Sequence, residues 1–151
     1  MTYQIKKAAV LGSGVMGSGI AAHLANIGIP TLLLDIVPKE VSKDEEAKGL
    51  TIEHPTVRNK FAGTAIQKLL KQKPAPLSAK KNLQLITAGN LEDDLEKLKD
   101  VDWIIEVVVE NLEIKKSLYE RWNYTFLLKI NIKLKNISQR FIFIYRFLRL
   151  C

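Results

Sequence analysis

The stretch Gly12-Ser13-Gly14-Val15-Met16-Gly17 constrains this chain more than any other. Three glycines spaced G-x-G-x-x-G are a weak signal alone, and the sequence on either side gives them force. Lys7 to Leu11 is a short apolar run that reads as a buried strand ending at Gly12. Val15 to Ile27 places Ile20, Leu24 and Ile27 at helical spacing, with Ala21, Ala22 and Ala25 between them, and Gly28 follows as a stop. Thr31-Leu32-Leu33-Leu34-Asp35 is a second apolar run, closed by an acid. The order strand, glycine turn, helix, strand is a βαβ unit, with the right-handed crossover that such units take.

Each glycine has its own task in such a turn. Gly12 allows the tight exit from the strand, Gly14 lets the main chain approach a pyrophosphate, and Gly17 lets the helix pack hard on the sheet. The helix start adds unpaired N–H groups and the positive end of its dipole, a setting for an anion. Asp35 lies 18 residues after Gly17, at the carboxyl end of the second strand. A carboxylate there accepts hydrogen bonds from the hydroxyls of an adenosine ribose and repels the extra phosphate of NADP. Ile36 and Val37 follow, with no arginine to welcome that phosphate. Gly12, Ser13, Gly14, Val15, Met16, Gly17 and Asp35 thus point to NAD. A glycine-rich turn without a ligand and a solvated strand-end acid remain the alternatives at this point.

Further along, Val41 to Glu53 is charged and begins a helical excursion. Val57, Phe61, Ala65, Ile66, Leu69 and Leu70 predict a helix that stops before Lys73-Pro74, and Pro74-Ala75-Pro76 is a linker. Leu83 to Thr87 reads as a third strand closed by Gly89. Asn90 caps a helix with Leu91, Leu95 and Leu98 on one face. Val101 to Val109 reads as a fourth strand buried on both sides, and Asn111 as the cap of a helix beginning near Glu113. Strands alternating with helices mean a parallel α/β sheet, a Rossmann-type arrangement with helices on both faces.

Composition matters chiefly for the last residues. The net charge of +7 suggests a polyanion partner, yet every acidic residue lies at or before Glu120 and the chain up to residue 121 is almost neutral. Residues 122–151 carry the remaining charge and contain no Gly, Ala, Val, Pro, Asp or Glu. Lys129 to Lys135 alternates like a strand, which spoils the helical apolar face of a membrane-surface segment, and the Ile and Phe content is foreign to a nucleic-acid arm. The segment has the composition of A/T-rich DNA translated out of frame. The expected division is therefore a partial dinucleotide-binding domain over 1–121, the sheet incomplete, and an atypical basic, apolar tail over 122–151, the product of a frameshift or a gene fragment. The single cysteine, Cys151, excludes a disulfide framework and a cysteine-rich zinc site, and no metal site is expected. No apolar run approaches the roughly 18 residues of a membrane span, and the N-terminus lacks a signal-peptide layout, so a reducing, cytoplasmic setting is expected without nucleic-acid or membrane partners.

Taken together, Val10 to Ala21, Asp35 and the stretch Val107-Val108-Val109-Glu110-Asn111-Leu112-Glu113-Ile114-Lys115-Lys116 resemble the NAD-binding domain of 3-hydroxyacyl-CoA dehydrogenases. The likeness is greatest to bacterial members serving fatty-acid β-oxidation and runs from residue 5 to about 121. The resemblance implies that the glycine turn and Asp35 hold NAD and that Glu110 and Lys115 make further NAD contacts. It places Thr64 and Lys71 near coenzyme A, although a solvated helix face is the plainer reading of both. It further implies a 3-hydroxyacyl-CoA substrate and a possible homo-oligomer in full-length members. The catalytic histidine of the family, in its His-Phe-Phe-Asn-Pro-like context, has no counterpart here. His23 lies inside the first helix and His54 in the excursion, so no catalytic residue is assigned and little or no dehydrogenase activity is expected. Three other readings are a stand-alone dinucleotide-binding module, another Rossmann-type β-hydroxyacid dehydrogenase, and a non-functional gene remnant.

Overall fold

A computed structural model of the chain describes residues 4–107. Four parallel strands form one sheet in the order β3-β2-β1-β4: β1 is Ala8–Leu11, β2 Thr31–Asp35, β3 Ile86–Asn90 and β4 Trp103–Glu106. Leu11 of β1 stands opposite Leu34 on one side and Glu106 on the other, so the carboxyl ends of the strands are flush. The expected parallel α/β sheet is present.

The inner strands β1 and β2 bury both faces, as their nearly continuous apolar runs require. Ala8, Val10, Leu33 and Ile86 belong to one core with helix α1, Val15–Asn26, and helix α4, Lys60–Leu69. Ala9, Leu11, Leu32, Leu34 and Ile104 alternate onto the other face and are buried too. Each such leucine is worth on the order of 2 kcal/mol relative to exposure.

The helices depart from expectation in which residues they bury. Helix α1 lays Gly17, Ser18, Ala21, Ala22, Leu24 and Ala25 inward. Ile27, expected on the apolar face, is exposed at the C-cap, because small side chains let the helix sit close to the sheet. Gly28 follows with a φ of +82°, the left-handed stop that its type favours. The charged excursion forms only the single turn α2, Lys43–Glu46, and the next predicted helix is split into α3, Pro55–Arg58, and α4. Ala62 and Ile66 face the core while Phe61 and Leu70 are exposed.

The third strand starts later than its apolar pattern suggests. Lys80–Leu85 is a 3-10 helix, and β3 begins only at Ile86. Gly89 is inside the strand rather than after it. A Cβ there would lie 2.7 Å from the Leu34 side chain and 2.5 Å from Asp94 Oδ2, so a side chain at this position requires both neighbours to shift. The helix expected after Asn90 is a turn followed by the 3-10 helix Leu95–Asp100. In β4, Ile104 is buried but Trp103 is exposed, since β4 is the outer strand of the sheet among the described residues. Val108, Val109 and the helix predicted after Asn111 lie outside the described residues.

Candidate functional site

Parallel strands with flush carboxyl ends gather the loops that follow them along one edge, which is where open α/β sheets bind ligands. Here the edge carries the glycine turn after β1, Asp35 at the end of β2 and Asn90 opposite it at the end of β3. The order of the sheet reverses at β1, whose two neighbours are β2 and β4, so the glycine turn stands at the switch point.

The three glycines do different things. Gly12 has a φ of +100°, a conformation that L side chains rarely adopt, and its N–H donates to the Leu34 carbonyl at 2.7 Å. A Cβ on Gly17 would overlap the Gly12 carbonyl oxygen and lie 2.9 Å from Val107 Cγ2, so the turn and the helix close on each other only through glycine. Gly14 is the reverse case. A Cβ there meets no atom within 4 Å, although Gly14 begins the helix as its N-cap. Nothing in the described fold needs a glycine at that position, whereas a group approaching the loop from outside does.

The start of α1 is left uncompensated. Gly14 has no side chain with which to cap the first N–H groups, and no acid stands in the first turn. Val15 and Met16 are exposed and head a shallow apolar groove of about 420 Å³ that runs along α1 past Ile20 and His23 to Trp103. An uncapped twelve-residue helix with exposed main chain at its start is suited to a phosphate.

Asp35 is held by the loop beside it. Its Oδ2 accepts hydrogen bonds from the Ser13 N–H at 2.6 Å and from the Ser13 hydroxyl, and its Oδ1 accepts from the Ile36 N–H at 2.7 Å. Ser13 is buried and Asp35 only half-buried. The carboxylate is thus anchored to the glycine turn and retains an accessible side. The sequence places Ser13 with the turn residues that point to NAD but does not reveal its side-chain bond to Asp35. A hydroxyl between the first two glycines, with an acid ending the next strand, is the signal that was available.

The remaining sequence-derived candidates among the described residues are Thr64 and Lys71. Thr64 is exposed on α4, and Lys71 is exposed in the turn just after it rather than on the helix. Glu110 and Lys115 lie outside the described residues. His23 is exposed on α1, about 13 Å along the axis from the helix start by the usual rise. His54 Nδ1 accepts from the Thr56 N–H at 3.2 Å and caps α3. Among the described residues no cluster of His, Cys, Asp and Glu suits a metal ion, and no helix is long and apolar enough to cross a membrane.

Residues 7–126 match the family model described as "3-hydroxyacyl-CoA dehydrogenase, NAD binding domain". The chain belongs to the 3-hydroxyacyl-CoA dehydrogenase family. A protein of Bacillus subtilis named "Probable 3-hydroxyacyl-CoA dehydrogenase" is 68% identical over 119 residues, which are 79% of this chain and 15% of that one. A like-named protein of Deinococcus radiodurans is 47% identical over 118 residues, 78% of this chain and 30% of its own length. Among solved structures, (S)-3-hydroxybutyryl-CoA dehydrogenase from Ralstonia eutropha superposes with a TM-score of 0.50 at 20% identity, over 78% of this chain and 36% of that one. That likeness concerns the fold. This dehydrogenase-family chain spans less than a third of the length of either curated relative. Its matched part is the NAD-binding domain, and the positive-φ Gly12, the tight Gly12–Gly17 contact, the open Gly14 and the half-exposed Asp35 all fit that cofactor.

Proposed function

We propose that this chain is the NAD-holding N-terminal part of an NAD-dependent 3-hydroxyacyl-CoA dehydrogenase of fatty-acid β-oxidation. The observation that carries the reading is the uncapped start of α1, with Gly14 open to the outside, beside the anchored carboxylate of Asp35. The main chain of residues 12–17 holds the diphosphate and Asp35 the adenosine ribose, with Glu110 and Lys115 as further contacts. NAD, when bound, supplies a hydride acceptor for the carbinol carbon of a 3-hydroxyacyl-CoA. Thr64 and Lys71 form the proposed coenzyme A contacts, Lys71 as a point charge for a phosphate.

The same reading limits the chemistry. Oxidation of the alcohol also needs a base for the hydroxyl proton. His23 is remote from the helix start and His54 is committed to capping α3, so neither takes that part. The 151-residue chain is therefore expected to bind NAD but to reduce acetoacetyl-CoA with NADH at a negligible rate. Calorimetric titration with NAD tests the first half and the reductase assay the second. No NAD binding at millimolar concentration by folded protein, or turnover matching a full-length family member, would sink the corresponding half.

The division at residue 121 belongs to this proposal. Residues 1–121 are the partial NAD-binding domain, and 122–151 come from a shifted reading frame, on the strength of their composition. Reading the gene past codon 122 in the other two frames tests it. A globular-looking sequence in one of them is expected, and its absence from both defeats the idea.

A further inference from the structure

The hydrogen bonds around Asp35 leave it with little freedom. A carboxylate offers about four lone-pair positions. The Ser13 N–H and the Ser13 hydroxyl both donate to Oδ2, and the Ile36 N–H donates to Oδ1. Oδ2 is saturated by a single residue of the glycine turn, and the remaining capacity is on Oδ1. The main-chain donors are available whatever side chain stands at position 13. The hydroxyl is not, and it is the one donor of the three that a substitution removes without touching the backbone.

The consequence concerns choice between cofactors. Discrimination between NAD and NADP by a carboxylate needs the charge held where the 2′ substituent of the ribose arrives, since a mobile side chain can swing away from a phosphate. The buried Ser13 hydroxyl ties that charge to the same turn that receives the diphosphate. The distance between the diphosphate site and the ribose acceptor is then fixed by one residue. We propose that Ser13 is a positioning residue for cofactor selectivity: its hydroxyl fixes the Asp35 carboxylate so that Oδ1 accepts a ribose hydroxyl and the anion excludes a 2′-phosphate. This inference rests on the NAD reading above and adds to it a residue that acts through Asp35.

The test is a set of titrations of the full 151-residue chain with NAD and with NADP. In Ser13→Ala the affinity for NAD falls about ten-fold, the usual scale of one hydrogen bond to a charged group, while that for NADP holds or rises. The preference for NAD thus shrinks by at least that factor. Ser13→Thr, which keeps the hydroxyl, retains the preference. In an Asp35→Ala background, Ser13→Ala changes the preference no further. A purely structural role lowers both affinities together, and equal losses in Ser13→Ala overturn the inference. So does a change in preference that persists without Asp35. Should Ser13→Ala fail to fold, Ser13→Cys keeps the volume with a weaker donor, and an unaltered preference there is also fatal. Absence of NAD binding by the unaltered chain overturns the NAD reading itself, and this inference with it. Binding by the unaltered chain together with equal losses removes only the role of Ser13.

Discussion

Neighbouring strands β2 and β3 end side by side, with Asp35 opposite Asn90, and their ends are built in opposite ways. At the end of β3 the protein closes the Asn90 side chain on itself. The buried Asn90 amide donates to Asn59 Oδ1 at 2.7 Å and to Asp93 Oδ2 at 2.8 Å, while its Oδ1 accepts from the N–H groups of Glu92 and Asp93. Arg58 reaches over from α3 and grips Asp93 with two donors, at 2.6 and 2.9 Å, and Glu92 with a third bond at 3.0 Å. At the ends of β1 and β2 the protein stops short of closure. Ser13 fills only Oδ2 of Asp35, and the helix start beyond Gly14 has no cap. A closed network fixes a loop, while an open one leaves something for a ligand. The contrast separates two neighbouring strand ends that each carry acidic side chains.

The largest effect is expected where the glycine turn meets the helix. Gly17→Ala forces a methyl group into the Gly12 carbonyl, which is backbone and has nowhere to go. Overpacking of this kind costs about 1–3 kcal/mol, and more where the obstacle is rigid. The thermal midpoint is expected to collapse and NAD binding to vanish with it. Gly14→Ala provides the partner measurement. The added methyl meets no protein atom, so the melting curve should hardly move. NAD affinity should fall ten-fold or more, because the methyl occupies the approach of the diphosphate. A Gly14→Ala variant that binds NAD normally would place the cofactor away from this turn.

That pair also shows how much was readable beforehand. The glycine spacing, the strand before it and the acid after it were legible because each is a local requirement: a positive φ at Gly12, a close contact at Gly17, an anion at a strand end. The third strand was misplaced because its start depends on distant partners. Gly89 looks like punctuation in the sequence, yet it lies within β3 close to Asp94 and to Leu34, a residue that only the folded sheet brings near. Helix α1 was legible in extent but not in face, since an alanine-rich helix packs through its smallest side chains rather than its largest. The hydroxyl of Ser13 was missed for the same reason as the strand: its partner is 22 residues away.

A smaller effect is expected at the closed end. Arg58→Met removes the clamp on Asp93 and Glu92 and leaves two carboxylates facing each other without their cation. The Arg58 guanidinium is the main reason that the Asp93 carboxyl titrates below its ordinary range, with the Asn90 amide helping. The thermal midpoint should drop by a few degrees while NAD affinity stays within about two-fold. Loss of NAD binding in folded Arg58→Met protein would erase the distinction between the two strand ends.

The smallest and most specific effect concerns acid. Glu45, in α2, accepts from the Lys60 ammonium at 2.8 Å and from the Ser42 hydroxyl and N–H at 2.6 and 2.9 Å, and these donors pull its pKa down from 4.5 to about 2. A carboxyl whose pKa is lowered in the folded state binds its proton more readily when unfolded. Its contribution is therefore complete above pH 4.5 and is lost as the pH falls from there towards 2. Other carboxylates titrate in the same window, so the difference between the unaltered chain and Glu45→Gln isolates this one. Urea midpoints measured from pH 7 downward should differ most between the two at neutral pH and converge in acid. NAD affinity at neutral pH should be the same for both, because Glu45 serves the packing of α2 against α4 and not the open edge of the sheet. A gap that widens in acid would mean that the Lys60 and Ser42 contacts do not favour the charged carboxylate.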